Sequence, residues 1–253
     1  LLDYLQHCSS LLGSVLSGEQ SPLETLFPGG SFELADGLYR RSATMRYVNE
    51  LAAAALSAFA DASPGRPLRV LEVGAGTGGT TSALLPRLPA ARTHYRFTDV
   101  SSVFFDRARE EFGAAGDVEF VTFDLDRELA EQGIAAASAD VVVAANAVHA
   151  CKDLRAALRR LRELVAPGGM LVLIESTEHL AWFDISTGLI EGWQHFADDL
   201  RTDNPLLSPA TWVRALREAG FDDAVAFPGD SGAAAALAQH VIAAHVAGVA
   251  SRT

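Results

Sequence analysis

Leu68-Arg69-Val70-Leu71-Glu72-Val73-Gly74-Ala75-Gly76-Thr77-Gly78-Gly79-Thr80-Thr81-Ser82 is the stretch from which the rest of the chain is read. An apolar run holding the β-branched Val70 and Val73 breaks into a glycine-dense turn. Ala83, Leu84 and Leu85 then begin a helix. That order is strand, tight loop and helix start. Glycines let backbone N–H groups come close to a ligand, and a helix N-terminus offers unpaired donors beside it.

Outward from this loop, strand and helix patterns alternate. Strands are expected at 68–73, 94–98, 117–123, 139–145, 169–175, 221–227 and 239–246, with helices at 79–88, 102–112 and 153–165 between them. Alternation at this spacing implies βαβ units, hence an α/β fold whose seven-stranded, mostly parallel sheet carries helices on both faces. Upstream the chain is helical. Leu1, Leu5, Cys8, Leu11, Leu12, Val15 and Leu16 recur near helical spacing until Gly18. Ser21-Pro22 opens a short turn through Phe27, and Ser42 is placed to cap a long helix reaching Phe59. Ser63-Pro64-Gly65-Arg66-Pro67 then separates residues 1–65, expected as an N-terminal helical lid subdomain, from a ligand-binding core at 66–253.

Composition excludes several classes of function. Of the 253 residues, 49% are apolar, enough for one core and too many for a disordered chain. The net charge of −12, with Lys152 the only lysine, leaves no basic face for nucleic acid. No apolar run approaches the roughly 18 residues of a membrane span, and no basic-then-apolar leader opens the chain. Two distant cysteines, Cys8 and Cys151, suit a reducing cytoplasm rather than a disulfide framework. Metal-ligand spacing is absent. The start at Leu1-Leu2-Asp3, without an initiator Met, suggests a piece of a longer polypeptide.

In such a sheet, ligands bind beyond the carboxyl ends of the strands, near the switch in strand order. The residues expected there are Gly74 to Gly79, Asp99, Asp124, Asn146 with His149, and Glu175 to Glu178. Gly74, Gly76 and Gly79 fit G-x-G-x-x-G, and Asp99 follows Gly79 by twenty residues. Alone, that spacing allows a nicotinamide dinucleotide and S-adenosylmethionine alike.

Three features favour S-adenosylmethionine. Leu71-Glu72-Val73-Gly74-Ala75-Gly76-Thr77-Gly78 resembles motif I of the class I, Rossmann-like methyltransferases, and Pro167-Gly168-Gly169 resembles the turn before their fifth strand. No second domain follows to hold an oxidoreductase's substrate. An acidic lining suits a sulfonium better than a pyrophosphate. The resemblance implies cofactor contacts at Glu72, Gly74, Ala75, Gly76, Thr77 and Gly78, at Asp99 and Val100 for the ribose, at Asp124 and Leu125 for the adenine, and at Asn146 for the methionine part or the pocket wall.

More distinctive is Ala144-Ala145-Asn146-Ala147-Val148-His149-Ala150. With Asp153-Leu154-Arg155, Gly188-Leu189-Ile190-Glu191-Gly192-Trp193 and Arg201-Thr202-Asp203-Asn204-Pro205-Leu206-Leu207-Ser208, it resembles the C-methyltransferase domains of modular polyketide synthases. Their helical lid is matched by His7-Cys8 and Gly18-Glu19-Gln20-Ser21-Pro22. The resemblance implies methyl transfer from S-adenosylmethionine, leaving S-adenosylhomocysteine, to the α-carbon of a β-ketoacyl thioester. It also implies an acyl carrier protein and neighbouring synthase domains as partners. Catalysis is implied at His149, at Glu175 and at the lid residue Tyr39.

The residue types suit that chemistry. An α-carbon between two carbonyls is acidic enough for an imidazole, whose reference pKa of about 6.5 leaves it basic at cellular pH. A carboxylate on the other ring nitrogen fixes the tautomer and stabilises the imidazolium. Cys151, two residues from His149, stands where the family has threonine and is not expected to be a nucleophile. Gln194 follows Trp193 where the family shows a second tryptophan, and its amide is expected to alter the pocket. Trp182 and Trp193 are expected either to line an acyl tunnel or to pack in the core. Lys152, Arg155, Arg159, Arg160 and Arg162 form a basic cluster that could meet an acidic carrier protein. Alternatives are an O-methyltransferase domain, a catalytically silent scaffold domain and, third, a nicotinamide oxidoreductase.

Overall fold

One inner strand of the sheet is apolar at four of its six positions because both of its faces are covered. In the computed structural model, which describes residues 1–229 and 232–248, that strand is β1 (Leu68–Val73), whose Leu68, Val70, Leu71 and Val73 are all buried. It pairs in parallel with β2 (Thr93–Asp99) and β4 (Ala139–Ala145), which in turn pair in parallel with β3 (Asp117–Thr122) and β5 (Val165–Ser176). Antiparallel β7 (Gln239–His245) lies between β5 and β6 (Asp223–Phe227), giving the order β3-β2-β1-β4-β5-β7-β6. The switch point therefore lies between β1 and β4, where the glycine loop and the His149 segment emerge side by side.

Two apolar clusters cover the two faces. On one, Leu71, Val142, Leu171 and Ile242 meet Leu154, Leu158 and Leu161 of α6 (Leu154–Leu164) and Trp212 and Leu216 of α7 (Pro209–Glu218). On the other, Val70, Val141, Val143, Val172 and Val241 meet Val48, Ala52 and Leu56 of α3 (Ala43–Asp61) and Phe105, Ala108 and Phe112 of α5 (Phe105–Phe112). Each fully buried leucine or valine here contributes roughly 1.5–3 kcal/mol. The expected boundary at residue 65 does not coincide with a change of core, since α3 packs into the sheet. A separate, smaller cluster holds the lid: Tyr4 and Cys8 of α1 (Leu2–Leu16), Leu26, Ala35 of the single turn α2 (Glu33–Asp36), Tyr39 and Trp182.

Local signals explain the element ends. Side-chain oxygens of Ser42, Asp153 and Ser208 accept from the amides of Met45, Ala156 and Thr211 at the starts of α3, α6 and α7, each worth about 1 kcal/mol. The helix expected at 79–88 is shorter, α4 (Thr81–Leu84) followed by a 3-10 turn, because Pro86 lacks the amide a longer helix needs. The helix expected at 102–112 opens as a 3-10 turn at Ser102–Phe104. Strand β5 begins at Val165, not 169. Pro167-Gly168-Gly169 is an irregularity within it, at which the register with β4 shifts, and a side chain at Gly169 would sit 2.6 Å from Asp140 O.

The lid segment docks on α5 through ion pairs Asp36–Arg107, at 2.5 Å, and Arg40–Glu111. Among the described residues no helix is long and apolar enough to cross a membrane.

Candidate active site

Beyond β1 the chain turns through Gly74, Gly76 and Gly78, all with positive φ. Gly74 is the constrained one: at φ +63° any Cβ would stand 2.6 Å from the Cβ of Ala147, in the segment leaving β4. Gly78 serves packing, since a Cβ there would meet Phe112 at 2.5 Å. Ala75 N donates to Thr98 O and Gly76 N to Asp99 Oδ2, both at 2.9 Å. A cavity of about 180 Å3 opens above the loop, lined by Glu72, Gly74, Ala75, Gly76, Thr77 and Gly79 and roofed by Phe27 and Phe104.

Glu72 is the charged group of this cavity. Its Oε2 accepts from Thr81 Oγ1 at 2.5 Å and Tyr95 OH at 2.6 Å, while its Oε1 has no hydrogen-bond partner among the described residues. Burial pushes its pKa up to about 7, with the two hydroxyls opposing. An orphaned buried carboxylate oxygen beside a loop of close-approach glycines fits a cationic, nucleoside-bearing ligand such as S-adenosylmethionine.

The other cofactor residues expected from sequence are placed less directly. Asp99 lies behind the loop, its second oxygen accepting from Ser101 N at 2.9 Å; burial raises its pKa. Val100 is exposed, and neither it nor Asp99 lines the cavity. Asp124 and Leu125 are also outside the lining. The Asp124 amide donates to Gln132 Oε1 at 2.7 Å, its carbonyl accepts from Gln132 Nε2 at 2.8 Å, and Leu125 is core.

Across the switch point lies a second cavity of about 300 Å3. Tyr39, Met45 and Asn146 line both cavities and so form the wall between them. The larger one is walled by Leu38, Leu180, Trp182, Phe183, Ile190 and Trp193, with His149 on its floor. His149 Nδ1 is 2.6 Å from Glu175 Oε2. Glu175 is fully buried, and its Oε1 accepts from Val148 N at 3.0 Å. The Trp193 and His149 rings meet in a T-shaped arrangement, with centroids 5.5 Å apart. Tyr39 is half-buried, and the burial of its hydroxyl pushes its phenol up to about 12. Of the sequence-predicted trio, His149 and Tyr39 line this chamber, and Glu175 lies buried behind His149.

Asn146 is held in the left-handed region, φ +47°, and its Oδ1 accepts from Ser176 N at 3.1 Å, Ser176 Oγ at 3.3 Å and Gln239 Nε2 at 3.0 Å. That leaves Nδ2 only a weak contact, Met45 Sδ at 3.7 Å. Ser176 falls within the stretch 175–178 expected at the end of β5, whereas Gln239 is not among the expected residues, its position at the start of β7 beside β5 being the available signal. Burial raises the Cys151 thiol, which removes it as a nucleophile. Gln194 is exposed and outside the cavity lining, so the expected change of pocket does not arise from its side chain. In the basic cluster, Arg155 pairs with Asp199 and Glu218, Arg160 with Glu128, and Arg162 donates to Gly220 O. Lys152 and Arg159 remain exposed.

A family model described as a methyltransferase domain matches residues 71–171. The chain is 40% identical over 224 residues to the polyketide synthase ThaG of Burkholderia thailandensis, covering 86% of this chain and 4% of that protein. The crystal structure of the CurJ carbon methyltransferase matches with a TM-score of 0.92 and 40% identity over 97% of this chain and 66% of that one. The trans-methyltransferase CalH, solved in complex with SAH, matches with a TM-score of 0.77 and 29% identity over 96% and 66%. The chain thus spans a small part of the synthase it resembles.

Proposed function

Since the chain belongs to the S-adenosylmethionine-dependent carbon-methyltransferase domains of polyketide synthases, we propose that it methylates the α-carbon of a β-ketoacyl thioester borne by an acyl carrier protein. The carrier and the neighbouring synthase domains are its partners, in the cytoplasm. The observation that carries this reading is the buried His149–Glu175 pair, 2.6 Å apart, on the floor of a chamber that shares a wall with the glycine-loop cavity.

Glu72, Gly74, Ala75, Gly76 and Thr77 hold the cofactor, with Asp99 acting through the loop it ties down. S-adenosylmethionine, when bound, supplies an electrophilic methyl group on a cationic sulfur. His149 Nε2, opposite the nitrogen engaged by Glu175, takes the α-proton of the acyl chain. Glu175 stabilises the imidazolium that results without itself leaving the carboxylate form. The charge left behind spreads onto the two carbonyl oxygens of the β-ketoacyl group. The Tyr39 hydroxyl, whose burial keeps it protonated, and the Asn146 amide, whose orientation Ser176 and Gln239 fix, are donors for those oxygens. Apolar walls from Leu180, Trp182, Phe183 and Ile190 exclude water and take the acyl chain.

Mass spectrometry of a β-ketoacyl carrier protein incubated with S-adenosylmethionine tests this. The expected product gains one methyl at the α-carbon, and His149→Ala loses that gain. Methylation that survives His149→Ala at the original rate overturns the assignment of the base.

A further inference from the structure

The segment between β4 and α6 that carries His149 is gripped from a second direction by an ion pair. Arg201 and Asp198 lie in irregular chain before α7, yet their side chains are 0% and 2% exposed. Asp198 Oδ2 accepts from Arg201 Nη2 at 2.5 Å and Nε at 3.0 Å, and caps α6 by accepting from Leu154 N at 2.9 Å. The rest of the guanidinium is spent on one loop. Nη1 donates to His149 O at 2.7 Å, and Nη2 donates to Cys151 O at 2.7 Å and Lys152 O at 3.2 Å.

We propose that Arg201, held by Asp198, is a positioning residue that fixes where His149 presents its Nε2. The inference rests on the reading of His149 as the base. Glu175 constrains the ring at Nδ1 and the preceding amide of Val148, both from β5. His149 itself stands in a single 3-10 turn, Val148–Ala150, with no side-chain cap. The Nδ1 bond and the Trp193 ring hold the imidazole, but neither fixes the His149 backbone carbonyl on such a turn. Arg201 supplies the missing constraint at the His149 carbonyl, so that ring and backbone are fixed from opposite sides. Stability alone is a poor account of the pair, because removing two charges from water offsets most of their attraction. What the planar fork adds is geometry: several carbonyls of one loop are met at once, which a lysine cannot do.

The test is a mutant cycle on the whole chain, read by steady-state kinetics and by S-adenosylmethionine titration. Arg201→Lys keeps the charge and loses the fork; Asp198→Asn keeps the shape and loosens the guanidinium. Displacing a reacting group by about 1 Å costs on the order of 10²-fold. Arg201→Lys is therefore expected to lower kcat by about 10- to 100-fold, with acceptor KM and cofactor affinity within about twofold of wild type. Added to His149→Ala, it should lower the residual rate by less than about twofold, because its effect passes through the imidazole. A normal kcat in Arg201→Lys overturns the proposal, as do losses that multiply in the double variant. If both single variants lose cofactor binding, the pair is a structural prop and the proposal fails. If His149→Ala is itself fully active, the base assignment falls and the positioning role with it. An impaired His149→Ala beside a normal Arg201→Lys removes the positioning role alone.

Discussion

Around the glycine loop, one continuous stretch from Glu72 to Thr80 supplies most of a cavity of about 180 Å3, largely with backbone and one buried carboxyl group. The neighbouring chamber of about 300 Å3 is assembled from separate pieces: the lid near Tyr39, the ends of β4 and β5, the turns from Leu180 to Trp193, and Gln239. The first binds by main-chain approach, so its requirements fall on glycines and strand ends. The second is shaped by side chains and holds the His149–Glu175 pair proposed as the acid–base group. Their division of labour means that variants on the two sides should fail differently.

The largest expected effect separates them outright. His149→Ala should reduce kcat by about 10²- to 10⁴-fold, the usual worth of general base catalysis, while S-adenosylmethionine affinity measured by titration calorimetry stays unchanged. A comparable loss of cofactor affinity would show that the two chambers are not independent.

Gly74→Ala should break that independence deliberately. The left-handed conformation alone costs an alanine about 1–2 kcal/mol, or roughly tenfold in affinity, before the Cβ meets Ala147 at 2.6 Å. Because Ala147 precedes His149 by two residues, kcat should fall as well. Unchanged cofactor affinity in this variant would remove the loop from the binding site.

The same contrast explains what was legible in the sequence. The seven strands were readable because buried parallel strands are apolar runs bounded by turn residues. Glu72, Gly74 and Gly76 could be placed since a continuous motif keeps its spacing in space. His149 and Glu175 could be placed because His149 follows β4 closely and Glu175 lies at the end of β5, and strand ends converge. The acceptor walls could not. Ala181–Ile185 and Thr187–Leu189 are 3-10 turns, too short to leave a period, and Trp182 and Trp193 were expected only as candidate walls. Arg201 was quoted within a motif but its task was hidden, since its partners are mostly backbone carbonyls, and any residue type supplies those. Asp124 and Leu125, expected as ligand contacts from a strand-end position, lie outside the lining of the glycine-loop cavity, and Gln132 engages the Asp124 amide and carbonyl while leaving its carboxylate group to other partners.

A smaller effect tests the electrostatics of the glycine side. Burial lifts Glu72 to about 7, above the ordinary carboxylate range, so the free protein still holds a proton there just below neutrality. A bound cation favours the carboxylate. Affinity for S-adenosylmethionine should therefore rise as pH increases through about 7, up to about tenfold between pH 6 and 8, with release of a proton. Glu72→Gln should flatten that profile, leaving weak binding at both ends. An unaltered pH dependence in Glu72→Gln would place the titrating group elsewhere, with Asp99 next because burial raises it too.

The smallest effect probes the rim outside the acceptor chamber. Of the five basic residues after His149, Arg155 and Arg160 are neutralised by carboxylates and Arg162 is turned onto Gly220 O. Any attraction for an acidic carrier protein at this face falls chiefly on Lys152 and Arg159. Exposed pairs are worth about 0.2–1 kcal/mol, so Arg159→Glu should raise KM for a carrier-bound substrate by at most about fivefold, and the difference should shrink in high salt. KM for a small thioester mimic should not move, because Arg159 lies outside the lining of the chamber proposed for the acyl group. If both substrates respond equally, Arg159 acts on the active site and the carrier docks on another face.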